Sequence, residues 1–394
     1  MSRESRLPAG GANLFQSIKA KCAEAEAEGQ TLYRLSIGQP SGPALLPARE
    51  IAADAIMSDA EQMHEYQDNG SPGLPGFAER FINAHTQADI IGLVANGQVK
   101  CLPTPGTKPM LGLIPLACGA AQEKIWVCTT PGYPTPADWC GYLGVCHKSF
   151  LLNQENDFRP DPDVLHHGLN LIMLNYPHNP SGQIATREWW IQICKKAVEE
   201  NIRVFNDAAY SILAHSPDHC TLTDVAVDFP ELSWAEAFSA SKAGNFTGWR
   251  IGAIVGSPDF VGDIATIKGN TDSGFNAALA AGVLVLFEEH PELIAKIRKI
   301  YEERINLLTA ILTNYGMQLA VKPKAGFFTL WKTPARAFGE DIKNAEHFNF
   351  MMIEKTGVVG VHFDPFIRYA VCGDVAAMIE SIAEAFRQAE ISYK

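Results

Sequence analysis

No C-x-x-C pair occurs among the 9 cysteines, which are scattered from Cys22 to Cys372 with no clustered histidines. That excludes the common zinc frameworks and a disulfide-stapled secreted scaffold. No metal is expected, and the thiols are read as reduced. No run reaches the ~18 apolar residues of a membrane span, so no membrane association is expected. Met1-Ser2-Arg3-Glu4-Ser5-Arg6 carries two arginines without the apolar run of a secretory leader. A cytoplasmic location is the expectation. Basic charge is in deficit: 32 Lys+Arg stand against 44 Asp+Glu, a formal net charge of −12. Such a chain is poorly suited to binding a nucleic-acid backbone. No G-x-G-x-x-G follows a strand, which disfavours a nicotinamide dehydrogenase. Repeats, low-complexity tracts and long linkers are also missing. What is present is an apolar fraction of 47% in 394 residues, enough for a large core. At roughly 150 residues per domain, two or three domains are expected.

The pattern predicts a helix from about Asn13 to Glu28, ended by Gly29, then a strand over Leu32–Ile37 and a loop over Ser41–Pro47. From Gly92 to about Gly256, strands and helices alternate. Strand-length apolar runs are Ile125–Thr129, Leu169–Leu174, Val204–Phe205, Ala235–Phe238 and Ile251–Val255. Helical stretches include Lys108–Ala117 and Arg187–Glu200. This alternation predicts an α/β fold with a mostly parallel central sheet flanked by helices. Beyond Asn276 a long helical stretch runs to Tyr315, with a kink or restart at Pro291. Strands near Met317–Val321, Phe327–Trp331, Val358–His362 and Phe366–Cys372, with helices Ala345–Lys355 and Val375–Ala389, predict a smaller α+β domain. The expected division is 1–46 as an N-terminal arm joining the small domain, 47–285 as the large domain, and 286–394 as the small one.

Four motifs carry chemistry. In Ser239-Ala240-Ser241-Lys242 a lysine follows an apolar strand, and Arg250 comes eight positions later. Burial depresses an amine's pKa and makes it a usable nucleophile and base. Two hydroxyls and an arginine fork suit a phosphate. The plain alternative is an exposed loop lysine with a structural arginine. Asp207, in Asn206-Asp207-Ala208-Ala209-Tyr210, ends an apolar strand, where open α/β sheets place ligands. Its plain alternative is a turn cap. Asn175-Tyr176-Pro177-His178-Asn179-Pro180 is a proline-fixed turn presenting Asn179. Gly106-Thr107-Lys108 leads into a helix whose first N–H groups form an anion site.

In this order the four motifs resemble the class I/II aminotransferases, pyridoxal 5′-phosphate enzymes of fold type I. The likeness extends from Ile37-Gly38-Gln39-Pro40 to Phe366-Ile367-Arg368-Tyr369. It implies that Lys242 joins the cofactor covalently, Asp207 pairs with the pyridine nitrogen, and Tyr210 and Asn179 contact the ring oxygen. Ser239, Arg250 and the backbone of Gly106, Thr107 and Lys108 would hold the phosphate, with Tyr133 stacked on the ring. Arg368 would clamp the substrate α-carboxylate beside Gly38 and Asn179. Tyr66, as a cofactor contact, and Asn276, as a substrate contact, match positions that reach across a dimer interface, so a homodimer is implied. The implied substrates are an α-amino acid and a 2-oxo acid, exchanged by a ping-pong mechanism. Gly106-Thr107-Lys108, Phe275-Asn276 and Phe246-Thr247-Gly248-Trp249-Arg250 are locally similar to the LL-diaminopimelate aminotransferase branch.

One departure stands out. Val361–Phe366 passes almost directly into Arg368, where many members insert a Pro-Gly-x-x-Phe-Gly loop over the substrate side chain. The same scaffold also serves β-lyases, decarboxylases and racemases. A non-catalytic sensor of the ligand is a further alternative. The stretch before Ile37 is too short for the DNA-binding extension such sensors carry.

Overall fold

The computed structural model describes residues 14–119, 124–166 and 168–394. Its centre is a seven-stranded sheet. The strand order is Lys100–Thr104, Gly252–Gly256, Trp234–Ser239, Arg203–Asp207, Leu171–Leu174, Lys124–Thr130, Cys146–Leu151. Only Gly252–Gly256 runs against the rest, being antiparallel to both its neighbours. The period-2 alternation of a strand feeds two cores. Leu171 and Met173 point to one face, under helices Met110–Ala117 and Pro258–Lys268. Ile172 and Leu174 point to the other, under Phe77–Asn83, Arg187–Glu200 and Ala277–Glu289. A sheet covered on both faces is the architecture expected from the strand–helix alternation.

Two strands of this sheet escape the sequence pattern, and both are edges. Lys100–Thr104 contains Pro103, which cannot donate to a ladder and is tolerated at a sheet edge. Cys146–Leu151 is mostly exposed and carries His147 and Lys148, so it shows no apolar run.

A second, four-stranded antiparallel sheet takes the order Val361–Phe363, Phe366–Ala370, Phe328–Lys332, Leu319–Val321. Helices Pro291–Asn314, Ala345–Thr356 and Ile379–Ala389 share a core with it. Helix Leu14–Ala27 packs Ile18, Cys22 and Ala25 against Ile353, Val359 and Val361. The expected start of that helix at Asn13 lies outside the described residues.

Several boundaries differ from expectation for local reasons. The helical stretch Ala277–Tyr315 is two helices, Ala277–Glu289 and Pro291–Asn314, restarted at Pro291. The expected strand Leu32–Ile37 shrinks to Tyr33–Arg34, paired in parallel with Val358–Val359. Beyond Arg34 the chain turns, and the Leu35 carbonyl accepts a hydrogen bond from the Ala370 N–H. The expected strand Val358–His362 is split at Gly360, whose N–H and carbonyl are both held by the side chain of buried Asn349. The expected loop to Pro47 ends two residues sooner, at Leu45, because Pro47 sits in the first turn of helix Leu46–Ile56.

Candidate active site

The sheet delivers its chemistry at one end. Thr104 precedes the Gly106 turn, Thr130 precedes Tyr133, and Leu174 precedes the Asn175–Pro180 turn. Asp207 and Ser239 are themselves the last residues of their strands. All five strands share one direction, so all five carboxyl ends meet. Arg250 precedes the single opposed strand, which places it at the same end. Ligands of open α/β sheets bind there.

A cavity of about 790 Å³ opens at this end. Gly38, Thr107, Lys108, Tyr133, Asn179 and Asp207 line it, together with Tyr210, Ser239, Lys242, Arg250 and Arg368. Among the described residues, its lining holds four basic side chains, Lys108, Lys242, Arg250 and Arg368, and a single acid, Asp207. Within a chain of net charge −12, this concentration of positive charge marks an anion site.

Lys242 closes a short 3-10 turn, Ala240–Lys242, directly after the buried strand. Its Nζ donates a 2.9 Å hydrogen bond to the Gly38 carbonyl. The same Nζ lies 5.8 Å from the Tyr210 ring centroid and 5.7 Å from that of Phe327. Burial lowers its pKa to about 8, helped by the positive charges of Arg250 and Arg368 and opposed by Cys372 and Asp207. A useful fraction of the amine is therefore neutral near neutral pH.

Asp207 is buried, and burial raises its pKa to about 6 against the backbone N–H of Ala209, the charge of Lys242 and the Thr107 side chain. Its Oδ1 has no hydrogen-bond partner. A buried carboxylate oxygen without a partner is costly, so this atom is fitted to a donor that none of the described residues supplies. Tyr210 is buried with its ring edge-on to Phe327 and Phe328, 5.5 Å from each. Burial raises its hydroxyl pKa.

Ser239 Oγ accepts from the Ser241 N–H at 3.2 Å. Arg250 adopts φ +58°, a left-handed conformation uncommon for arginine, and its Nη1 donates to the Thr247 carbonyl at 2.9 Å and the Ser241 hydroxyl at 3.4 Å. Gly106, at φ +81°, leaves room for that guanidinium, which a Cβ at 106 would strike. The cradle of Gly106, Thr107, Ser239, Ser241 and Arg250 holds no carboxylate and suits a phosphate. Lys108 is exposed, with its Nζ 6.0 Å from the Tyr133 ring centroid.

Arg368 is 2% exposed. Nη1 donates to Asn179 Oδ1 and Nη2 to the Ser36 carbonyl, each at 2.9 Å. Among the described residues it forms no ion pair, and its Nε has no partner. Burial lowers its pKa to about 10, opposed by Tyr210, Cys372 and Tyr133. Among the described residues no carboxylate of the core pairs with this arginine, as a merely structural role would require. The short loop before Arg368 is a tight hairpin, Phe363 pairing directly with Phe366. It brings the Phe363 ring to 5.5 Å from the guanidinium carbon.

Two site candidates lie elsewhere in this chain. Tyr66 is 77% exposed and is not among the cavity's lining residues. Asn276 caps helix Ala277–Glu289, its Oδ1 accepting from the Leu279 N–H at 3.0 Å. Neither touches its own chain's cavity. Among the lining residues to which sequence reasoning gave no role are Phe15, Gln39, Leu111, Trp139, Thr247 and Phe328. For Phe328 the signal exists only in the strand pairing, since Leu330 faces Arg368 and Phe328 is its diagonal neighbour.

The unpartnered Asp207 oxygen, the desolvated lysine and the phosphate cradle fit pyridoxal 5′-phosphate, and with this fold they define a fold type I pyridoxal-phosphate enzyme. Residues 30–386 match the family model described as aminotransferase class I and II, and the chain belongs to that family. It is an enzyme that transfers an amino group between an α-amino acid and a 2-oxo acid. An LL-diaminopimelate aminotransferase of Methanocaldococcus jannaschii is 33% identical over 275 residues, covering 68% of this chain and 64% of the relative. One of Methanococcus maripaludis is 29% identical, covering 96% of this chain and 88% of the relative. Among solved structures, the fold resembles an aspartate aminotransferase from Rhizobium meliloti, with a TM-score of 0.85, 18% identity and full coverage of both chains. No helix among the described residues is long and apolar enough to cross a membrane.

Proposed function

We propose that Arg368 and Lys242 form the two working ends of one aminotransferase site, Arg368 gripping the substrate α-carboxylate and Lys242 handling the proton at Cα. The observation that carries this reading is the buried Arg368 guanidinium, held only by neutral acceptors and lining the same cavity as Lys242. A carboxylate completes such a fork with two parallel hydrogen bonds.

The cofactor, when bound, supplies the electron sink for the pair released at Cα. Asp207 holds the proton on the ring nitrogen through its unpartnered Oδ1, and the ionised carboxylate is favoured once a cation faces it. Tyr210 and Asn179 would hold the ring oxygen, and Tyr133 would cover the ring face. Ser239, Arg250 and the backbone of Gly106, Thr107 and Lys108 anchor the phosphate. Lys242 Nζ would serve as the base that takes the Cα proton and as the acid that gives it back. The Gly38 carbonyl, 2.9 Å away, keeps that amine aimed into the cavity.

The working form in this reading is a homodimer, with Tyr66 and Asn276 serving the partner's site; the exposure of Tyr66 away from its own cavity supports it. Sedimentation of a fully active monomer would refute it. The scattered spacing of the cysteines, with no C-x-x-C pair, supports a reducing cytoplasm. The packing of Leu14–Ala27 on Ala345–Thr356 supports the division into 1–46 plus 286–394 and 47–285. The names of the relatives make LL-diaminopimelate the first amino donor to test. The experiment is a set of half-reactions, followed by absorbance, of the cofactor-loaded protein against LL-diaminopimelate and a panel of amino acids. Donors convert the cofactor without an acceptor and yield the matching 2-oxo acid. Pyruvate and ammonia from a single amino acid would indicate a lyase instead.

A further inference from the structure

Glu236 is a fully buried carboxylate in the middle of the central sheet, where an apolar residue is the ordinary occupant. Four hydrogen bonds reach it. Oε1 accepts from Asn206 Nδ2 at 2.7 Å and from the Leu222 N–H at 3.1 Å. Oε2 accepts from the Thr223 N–H and the Thr223 hydroxyl, each at 2.7 Å. Asn206, its direct partner across the strand pair, is also fully buried and immediately precedes Asp207.

The Asn206 amide holds both backbone polar groups of one residue. Its Oδ1 accepts from the Tyr176 N–H at 2.8 Å, and its Nδ2 donates to the Tyr176 carbonyl at 2.9 Å. Tyr176 lies in the turn Asn175–Pro180, which carries the site's other two asparagines. Asn175 Nδ2 donates to the Asp207 carbonyl at 2.7 Å, and Asn175 Oδ1 accepts from the Asn179 N–H at 3.1 Å. Asn179 Oδ1 then receives the Arg368 guanidinium. With other donors already on both its oxygens, Glu236 can meet the Asn206 amide only as an acceptor, through the amide nitrogen, which fixes that amide's orientation. The flipped amide would set a carbonyl against the carboxylate and an NH2 group against the Tyr176 N–H.

We infer that Glu236 and Asn206 are positioning residues, a buried polar relay that fixes the turn at 175–179 and so places Asn179 for Arg368 to hold a substrate carboxylate. Buried polar networks are costly when half-made and rigid when complete, which suits a part whose task is orientation. The inference rests on Arg368 being the carboxylate clamp. Glu236 also serves a second, local branch at the start of helix Thr223–Ala226. The two branches separate the relay from a merely structural role.

The test compares Asn206→Ala, which cuts the relay, with Thr223→Val, which cuts one bond of the other branch. Both are measured as cofactor-loaded proteins. One readout is calorimetric affinity for a 2-methyl amino acid, which binds but has no Cα proton to lose. The other is KM for an amino acid against KM for the amine lacking its carboxylate. For Asn206→Ala the affinity and KM for the amino acid should worsen about tenfold, the equivalent of ~1.4 kcal/mol, with the amine unchanged. Thr223→Val should lower the melting temperature and leave both binding values unmoved. If Asn206→Ala does not fold, Glu236→Gln, which keeps shape and removes the charge, should give a smaller change of the same sign. Lowered melting with unchanged amino-acid affinity in every relay variant would overturn the inference. Failure of the clamp reading is distinguishable: Arg368→Lys itself would then bind the 2-methyl amino acid as tightly as the unaltered protein.

Discussion

The guanidinium carbon of Arg368 sits 4.2 Å from the centroid of the Phe328 ring. The two belong to neighbouring antiparallel strands, in diagonal register. An arginine stripped of water and of ion-pair partners gains from a π-face, and the contact leaves its outer edge free for a planar anion. Gly38 passes the same ring so closely that a Cβ there would lie 3.0 Å from its tip. Phe328 thus holds both the Arg368 guanidinium and the backbone that receives Lys242.

Phe328→Leu should weaken the clamp while the protein still folds. A desolvated cation–π contact contributes ~1–2 kcal/mol, so KM for amino acids should rise roughly five- to thirtyfold. Steady-state kinetics against an amino acid and its carboxylate-free amine checks this, with the amine affected less.

Asp207→Asn should cost at least about a hundredfold in rate, since the neutral amide no longer holds a proton on the ring nitrogen. The backbone should survive, because the bond from Asn175 goes to the Asp207 carbonyl. The pH dependence has a definite sign. The folded pKa is raised from 3.8 to about 6, so between those values the folded state binds more protons than the unfolded one. The carboxyl's contribution to cofactor-free stability is therefore greatest at low pH and is lost as pH rises through 6. Cofactor-free Asp207→Asn should melt above the unaltered protein at pH 8 and near it at pH 4. Calorimetric melting at the two pH values checks this.

Lys242→Met should abolish turnover, because no other amine of the cavity stands at the Gly38 carbonyl. Borohydride reduction and peptide mapping of the unaltered enzyme should label Lys242 alone. Its pKa falls from 10.5 to about 8 on folding, so the unfolded chain binds more protons between those values. Stability of the cofactor-free protein should gain from pH 8 upward through that window. Lys242→Met should lack that gain, which urea unfolding at pH 7.5 and 9.5 measures by difference.

Gly106→Ala should act on the phosphate. Left-handed backbone costs an alanine ~1–2 kcal/mol, and its Cβ would displace the Arg250 guanidinium. Cofactor affinity, measured by equilibrium dialysis, should fall by about tenfold or more. Unchanged affinity would show that Arg250 does not hold the phosphate.

The interior of the fold could be read from the chain because buried strands are dense in apolar residues. Leu171–Leu174 and Trp234–Ser239 are buried along their whole length, and their runs stand out. The edges Lys100–Thr104 and Cys146–Leu151 face water in part and carry proline or charge, so no run marks them. Site residues at strand ends, such as Asp207 and Ser239, sit where a local pattern stops, which makes them visible. Phe328 and the relay through Asn206 and Glu236 are not visible in that way. Their meaning depends on which strand lies beside which, and pairing between distant segments leaves no local trace. Asn276 illustrates the converse, since a helix cap and an interface residue look alike in sequence.

The central claim is that Arg368 exists to hold a substrate carboxylate, and Arg368→Lys tests it most directly. The measurement is the half-reaction rate of the cofactor-loaded variant with an amino acid and with the amine obtained by removing its carboxylate. The account predicts a normally folded variant that retains its cofactor. It should lose a further ~2–5 kcal/mol with the amino acid, while activity toward the amine falls far less. Equal losses for the two compounds, or a variant that fails to fold for want of a structural pair, would contradict it.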